Sequence, residues 1–154
     1  MQITEVRVKL AQDRGEKLQA FATITFDNAF VVRDIKVIKG PSGYFVAMPS
    51  RKLTVRCSAC GHKNHLRASY CNQCGKKLKK RPIPVDERGR AKLHADIAHP
   101  INQECRAMIQ EAVVREFTAE LERAKQPGYQ AAADYEDDAG PEDDDYPAAE
   151  EVRH

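Results

Sequence analysis

Two Cys-x-x-Cys-Gly segments, Cys57-Ser58-Ala59-Cys60-Gly61 and Cys71-Asn72-Gln73-Cys74-Gly75, stand ten residues apart in the most basic stretch of this 154-residue chain. Two tight turns that each deliver a pair of soft thiolates satisfy a tetrahedral Zn²⁺ ion, and the glycine after each pair leaves backbone N–H groups free to point back at the sulfurs. Cys57, Cys60, Cys71 and Cys74 are therefore the predicted ligands of one zinc ribbon. Four equivalent cysteines close the coordination shell, which marks the zinc as structural, because a catalytic zinc keeps one position open for water. His62 and His65 are surplus to this set, and haem attachment is excluded because Gly61 separates Cys60 from His62. Two paired knuckles also argue against a thiol redox enzyme, which would need free thiols. Cysteines in ligand spacing suit a reducing compartment, and the fifth, Cys105, reads as a small core residue of a helix.

Charge indicates what the ribbon meets. The formal net charge of +2 conceals two opposed regions: residues 134–154 hold ten acidic residues and one basic residue, Arg153, which leaves 24 basic and 13 acidic residues in 1–133, a net of +11. Residues 51–92 carry thirteen Lys or Arg against only Asp86 and Glu87. A solvated surface usually mixes signs, whereas a one-signed run that coincides with a ribbon is the footprint of a polyanion binder. Arg51 and Lys52 precede the ribbon, Arg56 abuts Cys57, and Lys63 and Arg67 lie between the knuckles with His62, His65 and Tyr70. These cations are the candidate contacts to DNA or RNA, and Tyr70, which precedes Cys71, reads as ribbon packing in preference to a base-stacking surface.

No apolar run approaches the roughly 20 residues of a membrane span, and Met1-Gln2-Ile3-Thr4-Glu5 opens a strand instead of a signal peptide. A cytoplasmic protein without membrane partners is expected.

The segments flanking the ribbon alternate as strands. Val6, Val8 and Leu10 share one face, Leu18, Ala20, Ala22, Ile24 and Phe26 share another, and Phe30–Lys39 sets Val31, Ile35 and Val37 together. Asp13-Arg14-Gly15 and Asp27-Asn28 supply turns, Gly40-Pro41-Ser42-Gly43 leads to a fourth strand over Tyr44–Met48, and Pro49 stops it. Residues 91–97 form one further strand. A helix then starts at the N-cap Asn102, with Ile101, Cys105, Met108, Ile109, Ala112, Val113, Phe117 and Leu121 on one stripe and Arg106, Arg115, Glu116, Glu120 and Arg123 toward water. Gln126-Pro127-Gly128 ends it near Lys125, and the acidic, apolar-poor segment beyond reads as disordered.

The predicted fold is α+β: an antiparallel sheet with a C-terminal amphipathic helix over 1–52 and 91–125, a four-cysteine zinc ribbon inserted at 53–82, and an acidic disordered tail at 126–154. Three stretches carry a resemblance: Phe30-Val31-Val32-Arg33-Asp34-Ile35-Lys36-Val37-Ile38, Gly43-Tyr44-Phe45-Val46-Ala47-Met48-Pro49-Ser50-Arg51-Lys52 and Asp96-Ile97-Ala98-His99-Pro100-Ile101-Asn102. In this order they resemble the stage V sporulation protein G (SpoVG) family over about residues 1–52 and 91–120. That resemblance implies a homodimer formed through strands and a DNA- and RNA-binding regulator linked to septation and sporulation, not an enzyme. It also implies nucleic-acid contacts at Arg51, Lys52 and Arg106. His99 has no catalytic partner and reads as a helix-start residue. The ribbon departs from the family, where a short connection stands, and a ribbon that docks a protein partner of the division machinery is the alternative reading.

Overall fold

The structure is a computed structural model, which describes residues 1–12 and 17–131. The Asp13-Arg14-Gly15 turn and residues 132–154 of the acidic tail lie outside the described residues.

Strands β1 (Ile3–Leu10), β2 (Leu18–Phe26), β3 (Phe30–Gly40) and β4 (Gly43–Ala47) form an antiparallel meander in that spatial order. Alternation places Val8 opposite Ala22 and Ala22 opposite Ile35, so one face is apolar across three strands. Asp27 and Asn28 both adopt positive φ, and the Ala29 N–H donates to Phe26 O at 2.9 Å, which closes the β2–β3 turn. One expected residue leaves the core. Between Ala22↔Ile35 and Ile24↔Val32, β3 carries one more residue than β2, a bulge with Asp34 at φ 59°. The extra residue reverses the parity of the strand. Val32 therefore packs on the core, while Val31, expected beside Ile35 and Val37, is 39% exposed.

The apolar face is covered by α1 (Gln103–Ala124). Asn102 caps it, its Oδ1 accepting the Cys105 N–H at 2.7 Å, and Lys125 ends it. Ile109, Val113 and Phe117 are buried against the sheet, with Cys105, Met108 and Leu121 partly buried beside them. Tyr44 meets Phe117 edge-on with centroids 4.9 Å apart. The Gln110 side chain accepts from Val46 N–H at 2.9 Å and donates to Tyr44 O at 3.0 Å, which satisfies the outer edge of β4. Two helix expectations are corrected. Ile101 is 91% exposed, because it precedes the N-cap and never joins the stripe. Glu120, assigned to the water side, is only 3% exposed: Arg123 Nε donates to it at 2.8 Å and the Tyr129 hydroxyl donates to its other oxygen.

The insertion leaves and rejoins the sheet–helix body through one short ladder. Strand β5 (Ser50–Lys52) pairs with β8 (His94–Asp96), and flanking bonds from Leu53 N–H to Leu93 O and from Ile97 N–H to Pro49 O, both 2.8 Å, extend it. The expected strand at 91–97 thus exists but is shorter, and Arg51 and Lys52 lie on the strand it pairs with. Within the insertion, β6 (Thr54–Arg56) pairs with β7 (Lys63–His65). Among the described residues no helix is long and apolar enough to cross a membrane.

Candidate metal centre and basic surface

The two knuckles fold alike. The Cys57 N–H donates to His62 O at 2.9 Å and the Cys71 N–H to Lys76 O at 2.8 Å. Gly61 and Gly75 take φ of 76° and 77°, a left-handed conformation that lets their N–H groups turn back to Cys57 O and Cys71 O. The glycines thus close the turns onto carbonyls. The N–H groups that reach sulfur come from Ala59 to Cys57 Sγ and from Gln73 to Cys71 Sγ, each at 3.4 Å.

The four sulfurs converge. Cys57 Sγ lies 3.6 Å from Cys74 Sγ, Cys60 Sγ lies 3.6 Å from Cys71 Sγ, and all four lie within 4.8 Å of one another. Sulfurs at the corners of a tetrahedron, each about 2.3 Å from a central ion, stand about 3.8 Å apart. Every cysteine is free of disulfide, so this donor set fits a metal ion. Hydrogen bonds already favour thiolates at two positions. Backbone N–H groups of Cys74 and Gln73 and the Asn64 side chain hold the Cys71 thiol down at about 5, with burial opposing. Cys57 is lowered by N–H groups of Cys60 and Ala59. At Cys60 the His62 N–H pulls downward, but burial and the crowding sulfurs of Cys71, Cys74 and Cys57 prevail and push the thiol up to about 12. Holding all four sulfurs as thiolates at this spacing requires a cation among them.

Asn64 was not singled out by the motif, although the structure gives it a central place. It is buried, donates through Nδ2 to His62 O at 3.1 Å, and accepts the Asn72 N–H at 2.9 Å. One side chain therefore ties the first knuckle to the second. A buried residue on the inner face of a hairpin was the available signal, hidden because β7 is only three residues long. His65 is engaged locally, its Nδ1 accepting the Arg67 N–H at 3.1 Å, and the sulfurs of the four cysteines form the cluster without it.

The predicted nucleic-acid residues separate into groups. Arg51 and Lys52 are consecutive in β5, so they point to opposite faces of the ladder, with Lys52 across from His94. Arg56 and Lys63 form the doublet that sequence order conceals: they are directly opposed across β6–β7, on the same face as Thr54 and His65. Arg67 is exposed beyond β7, and Arg106 is exposed near the start of α1, a separate element. Tyr70, read as ribbon packing, is 62% exposed, and Leu78 fills the ribbon interior with Cys57 and Cys71 instead. His99 is exposed before the helix, with Nδ1 3.1 Å from Pro100 O.

Pairing of charge differs sharply along the chain. Arg123 contacts Glu116 at 2.6 Å and Glu120 at 2.5 Å, Arg115 reaches Glu111 at 3.9 Å, and Lys125 reaches Glu122 at 3.0 Å. In residues 51–92, by contrast, Arg90 pairs with Asp86, and among the described residues the other twelve cations have no carboxylate at ion-pair distance.

The chain has relatives among known proteins. The family described as SpoVG matches residues 1–119. A septation protein SpoVG of Caldicellulosiruptor saccharolyticus is 37% identical over 119 residues, covering 77% of this chain and 93% of that protein. Its counterpart in Clostridium novyi is 38% identical over 117 residues, covering 76% and 80%, and that of a Thermoanaerobacter species 36% identical over 126 residues, covering 82% and 92%. The extent of these matches shows that the chain belongs to the SpoVG family.

Proposed function

We propose that this protein is a nucleic-acid-binding regulator associated with septation, whose inserted ribbon holds one structural Zn²⁺ through Cys57, Cys60, Cys71 and Cys74. The ribbon and its stalk present Arg51, Lys52, Arg56, Lys63 and Arg67 to DNA or RNA. The observation that carries this reading is the row of unpaired cations between 51 and 92. Like charges opposed across a hairpin, as Arg56 and Lys63 are, raise the free energy of the isolated protein, and a phosphate between them would relieve that repulsion. Zinc is the ion that suits four thiolates in a closed tetrahedral shell, and its role here is to fix the hairpin that displays the cations. The link to septation rests on the names of the relatives.

The test is fluorescence anisotropy of labelled single-stranded RNA and duplex DNA with zinc-loaded protein across a salt titration. The expected result is a steep loss of affinity with salt. In the Arg56→Ala, Lys63→Ala double variant the log–log slope on duplex should fall by about 0.9 for each phosphate contact removed. A folded, metal-loaded protein that binds neither probe at low salt overturns the reading.

A further inference from the structure

Unpaired cations explain attraction to a polyanion, but they do not explain why apolar side chains lie open beside them. Between β6, the turn after β7 and the segment leaving the second knuckle is a cleft of about 310 Å³. Its floor includes Val55, Leu66 and Ile83, and its rim carries Arg67, Lys79, Lys80 and Arg81. Leu66 and Ile83 are only half-buried and join neither buried cluster, so neither the ribbon interior nor the sheet core accounts for them. The four rim cations are exposed, with no carboxylate at ion-pair distance among the described residues.

An apolar floor under a cationic rim matches the two halves of a nucleotide, a flat ring with a π-face and a phosphodiester. The volume is at the low end of ligand pockets, enough for one ring system and its sugar. A base inside a duplex keeps its faces against its neighbours and cannot reach such a floor, whereas an unpaired base can swing out of the stack and settle there. We propose that this cleft seats one unstacked nucleotide of a single-stranded nucleic acid, the base over Leu66 and Ile83 and the flanking phosphates on Arg67 and Arg81. The inference rests on the nucleic-acid reading above and deepens it: the ribbon discriminates single strands from duplexes. The apolar floor favours this occupant over a purely acidic peptide, which would satisfy the rim and leave the floor exposed.

The experiment compares full-length, zinc-loaded protein with its Ile83→Ser and Arg81→Ala variants, using labelled oligothymidylate and a duplex of equal length. Metal content and the main thermal transition serve as folding controls. Ile83→Ser should weaken single-strand binding roughly tenfold, the effect of losing most of one aliphatic side chain's burial against the base, and leave duplex binding within about twofold. Arg81→Ala should reduce the salt slope of single-strand binding by about 0.7. Equal loss on both probes, or no loss on either, overturns the cleft assignment. Displacement of the strand by poly-glutamate that does not depend on Ile83 assigns the rim to acidic peptides and overturns it too. Should Ile83→Ser lose its metal, Ile83→Trp keeps the question open to decision. The chain contains no other Trp, so indole emission must be quenched by the single strand and not by the duplex, and absence of quenching rejects the seat. Failure of the wild type to bind any probe removes the proposed function itself, whereas normal binding that ignores Ile83 removes only the cleft.

Discussion

The sheet–helix body and the ribbon solve the same problem by different means. The body closes on ten buried apolar residues drawn from β1, β2, β3 and α1, whereas the ribbon buries three, two of them the candidate-ligand cysteines Cys57 and Cys71. Burying a side chain such as Leu78 contributes about 1.5–3 kcal/mol, while ordering each residue costs about 1–2 kcal/mol of backbone entropy. A segment with one buried aliphatic side chain cannot hold itself together on these terms, and in the proposed reading the metal held by the four cysteines takes the place of a core. Charge divides the same way. The C-terminal half of α1 pairs its cations with its own glutamates, while the ribbon leaves its cations open. One region is stabilised by its own contacts, and the proposed function supplies the partner that the other's cations lack within the chain.

The largest effects should come from breaking each region at its own support. Cys57→Ser removes one of four ligands from a segment where zinc binding is worth about 10–16 kcal/mol in small finger peptides, so the ribbon should unfold. Thiol reactivity should then rise at all three remaining knuckle cysteines, with the main thermal transition retained. Phe117→Ala is the mirror image: truncating a fully buried ring costs about 3–5 kcal/mol and should lower the main transition while metal stays bound. Loss of the main transition in Cys57→Ser would mean that the β5–β8 ladder fuses both regions into one cooperative unit.

A smaller effect tests how the ribbon tunes its ion. Cys57 and Cys71 are lowered below the ordinary thiol value of 9.0, so their contribution is present above that value and is lost as pH falls through the folded values, about 5 for Cys71. Cys60 is pushed up to about 12, so metal must displace its proton at neutral pH, which also makes affinity fall on acidification. Metal transfer to a chromogenic chelator should therefore increase from neutral pH toward about 5. Asn64→Ala removes the link between Cys71's knuckle and His62 and should weaken metal binding by about 10- to 100-fold, the usual cost of losing a group that orients ligands. An unchanged affinity would show that the knuckles hold their geometry without it.

What the sequence disclosed follows from the range of the forces involved. The knuckles, the strand alternation and the Asn102 cap are local patterns, and the structure shows all three. Val31 and Ile101 were misplaced because a bulge at Asp34 and the exact start of the helix act on residues whose own identity does not change. Glu120 was misread because its partners, Arg123 and Tyr129, lie three and nine residues away and only together make burial of a carboxylate tolerable. The basic surface was legible as composition but not as arrangement. The consecutive pair Arg51 and Lys52 diverges, while Arg56 and Lys63 meet only because β6 pairs with β7. Cross-strand register is fixed by packing across the sheet, which a linear run of charges does not encode.

The smallest expected effect gives the sharpest test of the contrast between the two charged regions. Arg115 and Glu111 form an i,i+4 pair 3.9 Å apart with side chains 72% and 79% exposed. Such pairs contribute about 0.3–0.5 kcal/mol, so Arg115→Ala should barely move the main thermal transition. Its effect on nucleic-acid affinity should be equally slight, because the Glu111 carboxylate beside it offsets the guanidinium's field at a phosphate. Arg56→Ala removes the same formal charge from a site without a carboxylate neighbour and should reduce the salt slope on duplex by about 0.9. The two variants have equal net charge, so any difference between them reports local pairing and not the overall field. A slope loss for Arg115→Ala as large as that for Arg56→Ala would place the paired face of α1 in the interface, and pairing within the chain would then no longer distinguish binding cations from structural ones.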